Sequence, residues 1–220
     1  MREFMNTHVD VGKVFKAKDM QWIKTLKLNS YHALVFYGDL SYKNNACFKA
    51  MILVGKIFKE YHIIHVYLRQ ASRNNLAKWL YDLYETQNLE RFNIKYRIEG
   101  LFAMDDFVSD FDQEGDLRGY HIPVVADKRP KIDKDERIES LAAYFERRNV
   151  FFNETEKTTA DQLELKEQLM AFEKGSAIAK DGPDALEGGV AECNRTDFRE
   201  RFEPRIVKKE YFNKLSKNRY

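Results

Sequence analysis

Apolar residues run almost unbroken through "ALVFYGDL" (33–40), and the run gives out near Asp39. A short continuous apolar stretch bounded by polar residues reads as a strand buried on both faces. After the polar turn "SYKNNA", "CFKAMILVGKIF" reads as a long second strand and "YHIIHVYLRQ" as a third, with Lys59-Glu60 as the hairpin turn between them. Three strands joined by short turns argue for an antiparallel meander. The period then changes. Beyond Ser72, which is placed to cap a helix, Leu76, Trp79, Leu80, Leu83 and Tyr84 recur at helical spacing.

The second half alternates between the two periods. "NIKYRIEG" predicts a strand closing at Glu99, "DDFVSDF" a helix and "YHIPVVA" a further strand. Arg137 to Arg148 reads as one helix with Ile138, Leu141, Ala142 and Phe145 on a single face, and "NVFFN" as a brief extended piece. Leu163, Leu165, Leu169, Met170 and Phe172 mark another helix, and "KDGPDALEGG" (180–189) opens the last. Residues 1–30 carry few periodic signals apart from Trp22, Ile23, Leu26 and Leu28. Parallel strand pairs need helical crossovers, and the later strands have them. The expected architecture is an α/β mixed sheet, three antiparallel strands followed by parallel ones, with helices on both faces.

Composition narrows the class. At 220 residues and 44% hydrophobic the chain can bury a substantial core. No apolar run approaches the ~20 residues that span a bilayer, so no membrane partner is expected. Cys47 and Cys193 are the only cysteines, which supplies neither a disulfide framework nor a paired-cysteine zinc motif and points to a reducing setting. The net charge of +2 does not by itself announce a nucleic-acid binder. The end of the chain, residues 194–220, is rich in Lys and Arg and reads as a solvated tail or a phosphate-contacting arm.

The acids carry the chemistry. Asp39 ends the first strand and Glu99 the fourth, so as parallel neighbours they would reach one edge of the sheet. A helix starting near Asp181 could bring Asp184 to that edge. Close carboxylates repel and raise one another's pKa, and Mg²⁺ or Mn²⁺ relieves this because hard cations take oxygen ligands. Two such ions suit phosphodiester hydrolysis. Each acid also has a plainer role available: Asp39 as a turn residue, Glu99 as a solvated strand end, Asp181 as an N-cap ahead of Pro183. His62 and His65, three apart in a strand, are expected on opposite faces and so cannot clamp one metal. No G-x-S-x-G elbow and no glycine-rich phosphate loop is present.

Four stretches together resemble the nuclease domain of the large terminase subunit of tailed bacteriophages. They are "EFMNTHVDVGKVF" with "MQWI", then "VFYGDLSYKNNACFKAMILVGK", then "YRIEG", and finally "IPVVADKRPKIDKDERIESLAAYFERRNVFFNE" leading to "KDGPDALEGGV". The resemblance implies a ribonuclease H-like fold and an endonuclease that uses two Mg²⁺ or Mn²⁺ ions to cut double-stranded viral DNA during packaging. By position, Asp39, Glu99 and Asp184 match the family's catalytic, metal-binding acids, and Asp181 its auxiliary acid. The implied partners are double-stranded DNA and, through the full-length protein, the phage portal and the small terminase subunit. The implied location is the cytoplasm of the infected bacterial host.

The resemblance also suggests an organisation. Residues 1–30 would be a linker from a preceding ATPase motor, 31–193 the nuclease domain and 194–220 a basic tail. "REFMNT" looks like the end of that linker, so the chain reads as an excised domain. Asn44 and Asn45 stand where the family often has a second acid or a Ser/Thr, and Asp105 or Asp106 could share the middle role of Glu99. Lys43 beside Asp39, with Lys128, Arg129, Lys131, Lys134 and Arg137 in "DKRPKIDKDER", would contact backbone phosphates without reading sequence. Two alternatives remain: another ribonuclease H-like nuclease such as a resolvase, or a docking module that binds DNA or portal without cutting.

Overall fold

A strand buried at every position belongs in the interior of a sheet, and β2 (Ala33–Leu40) is such a strand. A computed structural model describes residues 12–40, 47–100, 104–128, 130 and 132–196. Among these, β1 (Gln21–Ile23), β2, β3 (Phe48–Ile57), β4 (Glu60–Gln70), β5 (Ile94–Glu99), β6 (Val124–Asp127) and β7 (Val150–Asn153) form one seven-stranded sheet. The order across it is β1-β7-β4-β3-β2-β5-β6. β3 lies between β2 and β4 and runs antiparallel to both, as the meander pattern predicts. β5 lies parallel to β2, and β6 parallel to β5.

Among the described residues, six α-helices cover the sheet: α1 (Arg73–Thr86), α2 (Met104–Arg118), α3 (Lys134–Ser140), α4 (Ala142–Glu146), α5 (Ala160–Ala171) and α6 (Asp181–Thr196). Strand alternation divides the core in two. Val35 and Tyr37 of β2 pack with Leu165 of α5 and with Leu186 and Val190 of α6. Leu34 and Phe36 point the other way, against Leu76, Leu80 and Tyr81 of α1 and Phe111 of α2. Each such side chain, fully buried, contributes roughly 1.5–3 kcal/mol.

Several local features depart from the sequence pattern. β1 has only three residues, too few for a periodic signal, yet Trp22 packs on Phe152 of β7 with ring centroids 5.0 Å apart. Phe15 is buried against Phe145 and Phe172 at 5.2 and 5.8 Å. The β3–β4 turn falls on Phe58 and Lys59, and Glu60 already belongs to β4. The single helix expected over Arg137–Arg148 is two, α3 and α4, meeting at Leu141. α3 also begins earlier, because Asp133 caps it by accepting from the Asp135 and Glu136 N–H groups.

β4 carries an irregularity that parity alone does not reveal. Leu53 faces His65 whereas Val54 faces Ile63, so Ile64 is an extra residue in the ladder. Tyr61 and Ile63 therefore share a core with Val66 and Leu68, and the expectation of opposite faces for His62 and His65 does not apply. What separates the histidines is their partners. His62 Nδ1 is 2.9 Å from the Tyr31 hydroxyl, and His65 Nδ1 is 2.5 Å from Glu156 Oε1.

Two glycines let α6 lie close on the sheet. A Cβ on Gly188 would stand 2.2 Å from the Tyr37 ring, and one on Gly189 would stand 2.7 Å from Val54. That approach holds the start of α6 over the ends of β2 and β5.

Candidate metal centre

Alternation decides which strand-end residues meet. In β5, Ile94, Tyr96 and Ile98 enter the α1–α2 core, so Lys95, Arg97 and Glu99 face α6. Tyr37 and Asp39 take the same side of β2, and the parallel register that ends at Gly38↔Ile98 sets Asp39 beside Glu99. α6 then contributes Asp184 from its first turn. One carboxylate oxygen from each of Asp39, Glu99 and Asp184 lies within 4.8 Å of the other two.

Asp181 stands one turn before Asp184 on the same face, and it is not the N-cap of α6. Lys180 holds that place, since its carbonyl accepts the Asp184 N–H at 3.0 Å. The Gly182 N–H donates to Gln168 Oε1 of α5, also at 3.0 Å. The Gly182 N–H is one of the helix-start donors that a capping side chain would otherwise have to satisfy. Asp181 is thereby left free to point at the acid cluster, where its Oδ1 lies 3.8 Å from the Lys134 ammonium.

Two cations compensate the acids. Lys134 Nζ donates to Asp39 Oδ2 at 2.8 Å and lies 3.2 Å from Asp184 Oδ2. The Arg137 guanidinium sits 2.6 Å from Asp184 Oδ1, 3.3 Å from Glu99 Oε1 and 3.1 Å from Glu187 Oε2. Asp184 is only 1% exposed and its Oδ1 accepts no hydrogen bond, so the nearby guanidinium charge is what supports that oxygen. Burial dominates the electrostatics. It pushes Asp39 up to about 6 against the opposing pull of Lys134, with Glu99 adding to the rise. Asp184 rises to about 7 through burial and the neighbouring Asp39, and Asp181 rises through burial. Both cations move upward, because the acids around them outweigh their own desolvation.

A third strand end closes the group. Asp127 of β6 pairs across the ladder with Glu99 and accepts the Tyr37 hydroxyl at 2.9 Å. Beyond it, Arg97, Asp127, Lys128, Pro130, Glu192 and Arg195 line an open groove of about 440 Å³. Glu192 is buried there, with Lys95, Arg97 and Arg195 within 3.4, 3.6 and 2.7 Å.

The structure thus gathers Asp39, Glu99, Asp181 and Asp184 in one place and leaves Lys128 exposed at the groove. Lys134, expected to face DNA, instead has its ammonium among the acids. Lys43, Asn44, Asn45, Arg129 and Lys131 lie outside the described residues, as do the side chains of Asp105 and Asp106. Arg137, expected at the DNA backbone, is likewise turned onto the acids, and Glu187, Tyr37 and Asp127 join the cluster without having been singled out for it. Lys95 and Arg97 could have been found, since the alternation of "IKYRIE" already sets them on one face with Glu99.

No family model and no curated protein matches the sequence. Solved structures do match. The human cytomegalovirus terminase nuclease domain superposes with a TM-score of 0.59 at 15% identity, covering 83% of this chain and 96% of that one. The P22 large terminase nuclease domain gives 0.57 at 9% identity, over 88% of this chain and 100% of that one. The fold is that of a terminase nuclease domain. A further structure of the cytomegalovirus domain, Mn-soaked and inhibitor-bound, gives 0.60 at 15% identity, over 86% of this chain and 99% of that one. With identities of 9–15%, three-dimensional arrangement carries the likeness to the terminase nuclease fold.

Proposed function

We propose that the chain is a divalent-metal-dependent endonuclease that cuts double-stranded viral DNA during genome packaging. The observation that carries this reading is the convergence of Asp39, Glu99 and Asp184 from two parallel strands and a helix. It is supported by the nuclease identity of the domains that share the fold, one of them soaked with Mn. A module that only docked onto DNA or the portal has no use for buried acids held at such electrostatic cost.

The donor set suits a hard cation. It is all carboxylate oxygen, it is mostly buried, and protein cations already compensate it. Asp39, Glu99 and Asp184 would hold Mg²⁺ or Mn²⁺, with Asp181 as an auxiliary. When bound, two such ions supply a water-derived nucleophile and stabilise the departing oxygen. The chain does the rest. Arg137 orients the Glu99 and Asp184 carboxylates, and Tyr37 fixes Asp127 behind them. Lys128, Arg97 and Arg195 line the adjoining groove, where phosphate contacts would position a duplex without reading its bases. Lys43, Arg129 and Lys131 extend that role in the same proposal. In a packaging complex its partners would be the portal and the small terminase subunit, in the cytoplasm of an infected host cell.

Incubating the chain with supercoiled plasmid tests the proposal directly. Nicked and linear DNA should appear with Mn²⁺ or Mg²⁺ and vanish with EDTA. Intact plasmid under all metal conditions, with the chain shown to be folded, would refute it.

A second expectation concerns pH. Unfolded aspartates titrate near ~3.9, whereas folded Asp39 and Asp184 titrate at about 6 and about 7. The native state therefore holds protons that the unfolded chain has released. This contribution to stability is complete below the unfolded value and is lost as pH rises through the folded ones. In EDTA the thermal midpoint should be higher at about pH 5.5 than at about pH 8, and saturating Mn²⁺ should reduce the difference. A metal-free midpoint that climbs across this range would contradict the assignment of the shifts.

A further inference from the structure

Lys134 occupies a singular position. Its ammonium lies 2.8 Å from Asp39, 3.2 Å from Asp184 and 3.8 Å from Asp181, so three acids of the candidate metal set converge on one tethered charge. The backbone that carries it is well anchored. Asp133 caps α3, and Asp135 ties the next position to the Lys180 ammonium at 2.5 Å and the Gly175 N–H at 2.7 Å. The side chain itself is less confined, being 37% exposed.

Arg137, one turn along the same helix, is built differently. Its guanidinium is almost buried, and besides Glu99, Asp184 and Glu187 it donates to the Ile132 carbonyl at 3.3 Å. Among the described residues, the Lys134 ammonium contacts carboxylates alone. One cation is therefore fixed, and the other sits on a flexible four-carbon stem that can leave without disturbing the fold.

We propose that Lys134 is a built-in competitor for the divalent ion, its ammonium filling the space between Asp39 and Asp184 until metal expels it. This rests on the metal-dependent reading above and concerns how that site is loaded. A tethered cation needs no diffusion to return, so it competes at high effective concentration and weakens metal binding. It also keeps the metal-free domain charge-compensated and folded. Loading then requires a metal concentration high enough to displace an internal ligand. Arg137 stays in place and compensates whatever charge the metal leaves unbalanced.

The test uses the 220-residue chain and Mn²⁺, with free metal measured by its EPR signal. Lys134→Gln should bind Mn²⁺ roughly tenfold or more tightly than wild type, because it removes a unit charge from within about 4 Å of the donors. Lys134→Arg, which keeps a cation there, should stay near wild type, and Asp39→Asn should lose binding. Displacement is read independently by reductive methylation of lysines with mass spectrometry. Lys134 should label faster with saturating Ca²⁺ than in EDTA, a readout that needs no variant to fold. Wild-type affinity in Lys134→Gln, or a Lys134 labelling rate that ignores Ca²⁺, would overturn the competitor role while leaving the metal site standing. If wild type bound no Mn²⁺ at all, the metal-dependent reading would fall, and this proposal with it.

Discussion

Asp39→Asn is expected to reduce metal-dependent plasmid cleavage to background while leaving the metal-free protein as stable as wild type, or more so above neutral pH. The two halves of this expectation have one cause. Asp39 sits at the end of β2 with Glu99 and Asp184 beside it, and burial outweighs the help it receives from Lys134. At pH 8 the folded chain therefore holds this carboxylate ionised against its environment. Asn has the same shape, removes the charge and relieves that penalty. It also removes an anionic metal donor, and hard cations are held mainly by such donors. Plasmid nicking and a thermal melt in EDTA measure both on one preparation. A variant that cuts like wild type would place the metal elsewhere, and one that unfolds would mean Asp39 is a structural acid.

Arg137→Ala should produce the opposite result, a large loss of stability that metal partly restores. The guanidinium is the nearest positive charge to Asp184 and also touches Glu99 and Glu187. Its removal leaves mostly buried carboxylates with less compensating charge, and breaking a buried ion pair from one side costs about 3–5 kcal/mol. For a domain of this size that corresponds to a fall in thermal midpoint on the order of 10 °C. Divalent metal should recover a good part of it, because a bound ion supplies the missing charge to the same oxygens. A drop of only a degree or two in EDTA would show that the acids accommodate one another without Arg137.

The sequence made the frame of this site legible and concealed its counter-charges, for a physical reason. β2, β5 and the start of α6 announce themselves because burial needs apolar residues at fixed spacing. Asp39, Glu99 and Asp184 stand where those patterns stop. "DKRPKIDKDER" carries no comparable signal, since a charged stretch reads the same whether it faces solvent or turns inward. Asp133 decides the matter by starting α3 early, which sets Lys134 and Arg137 one turn apart and facing the acids. β1 was hidden by its shortness, and the fault in β4 by the assumption of strict alternation. Asp181 looked like a cap because the one group able to relieve it of that role, Gln168, belongs to another helix.

The spacing of the acids along the chain has a consequence for how activity first arises. Asp39 and Glu99 are set by neighbouring strands, but Asp184 comes from the last helix described, 145 positions after Asp39 by the chain's own numbering. Contacts between such distant segments form late and slowly, because chain closure must precede any gain from them. During synthesis, a ribosome-bound chain that has not yet emitted α6 can pair β2 with β5 and still lack the third acid. Its close glycine-mediated seat on Tyr37 and Val54 further requires that the sheet be built before the helix can dock. On the proposed nuclease reading, cutting competence would arrive with the final docking event, and a chain lacking that helix would pose no hazard to the DNA around it.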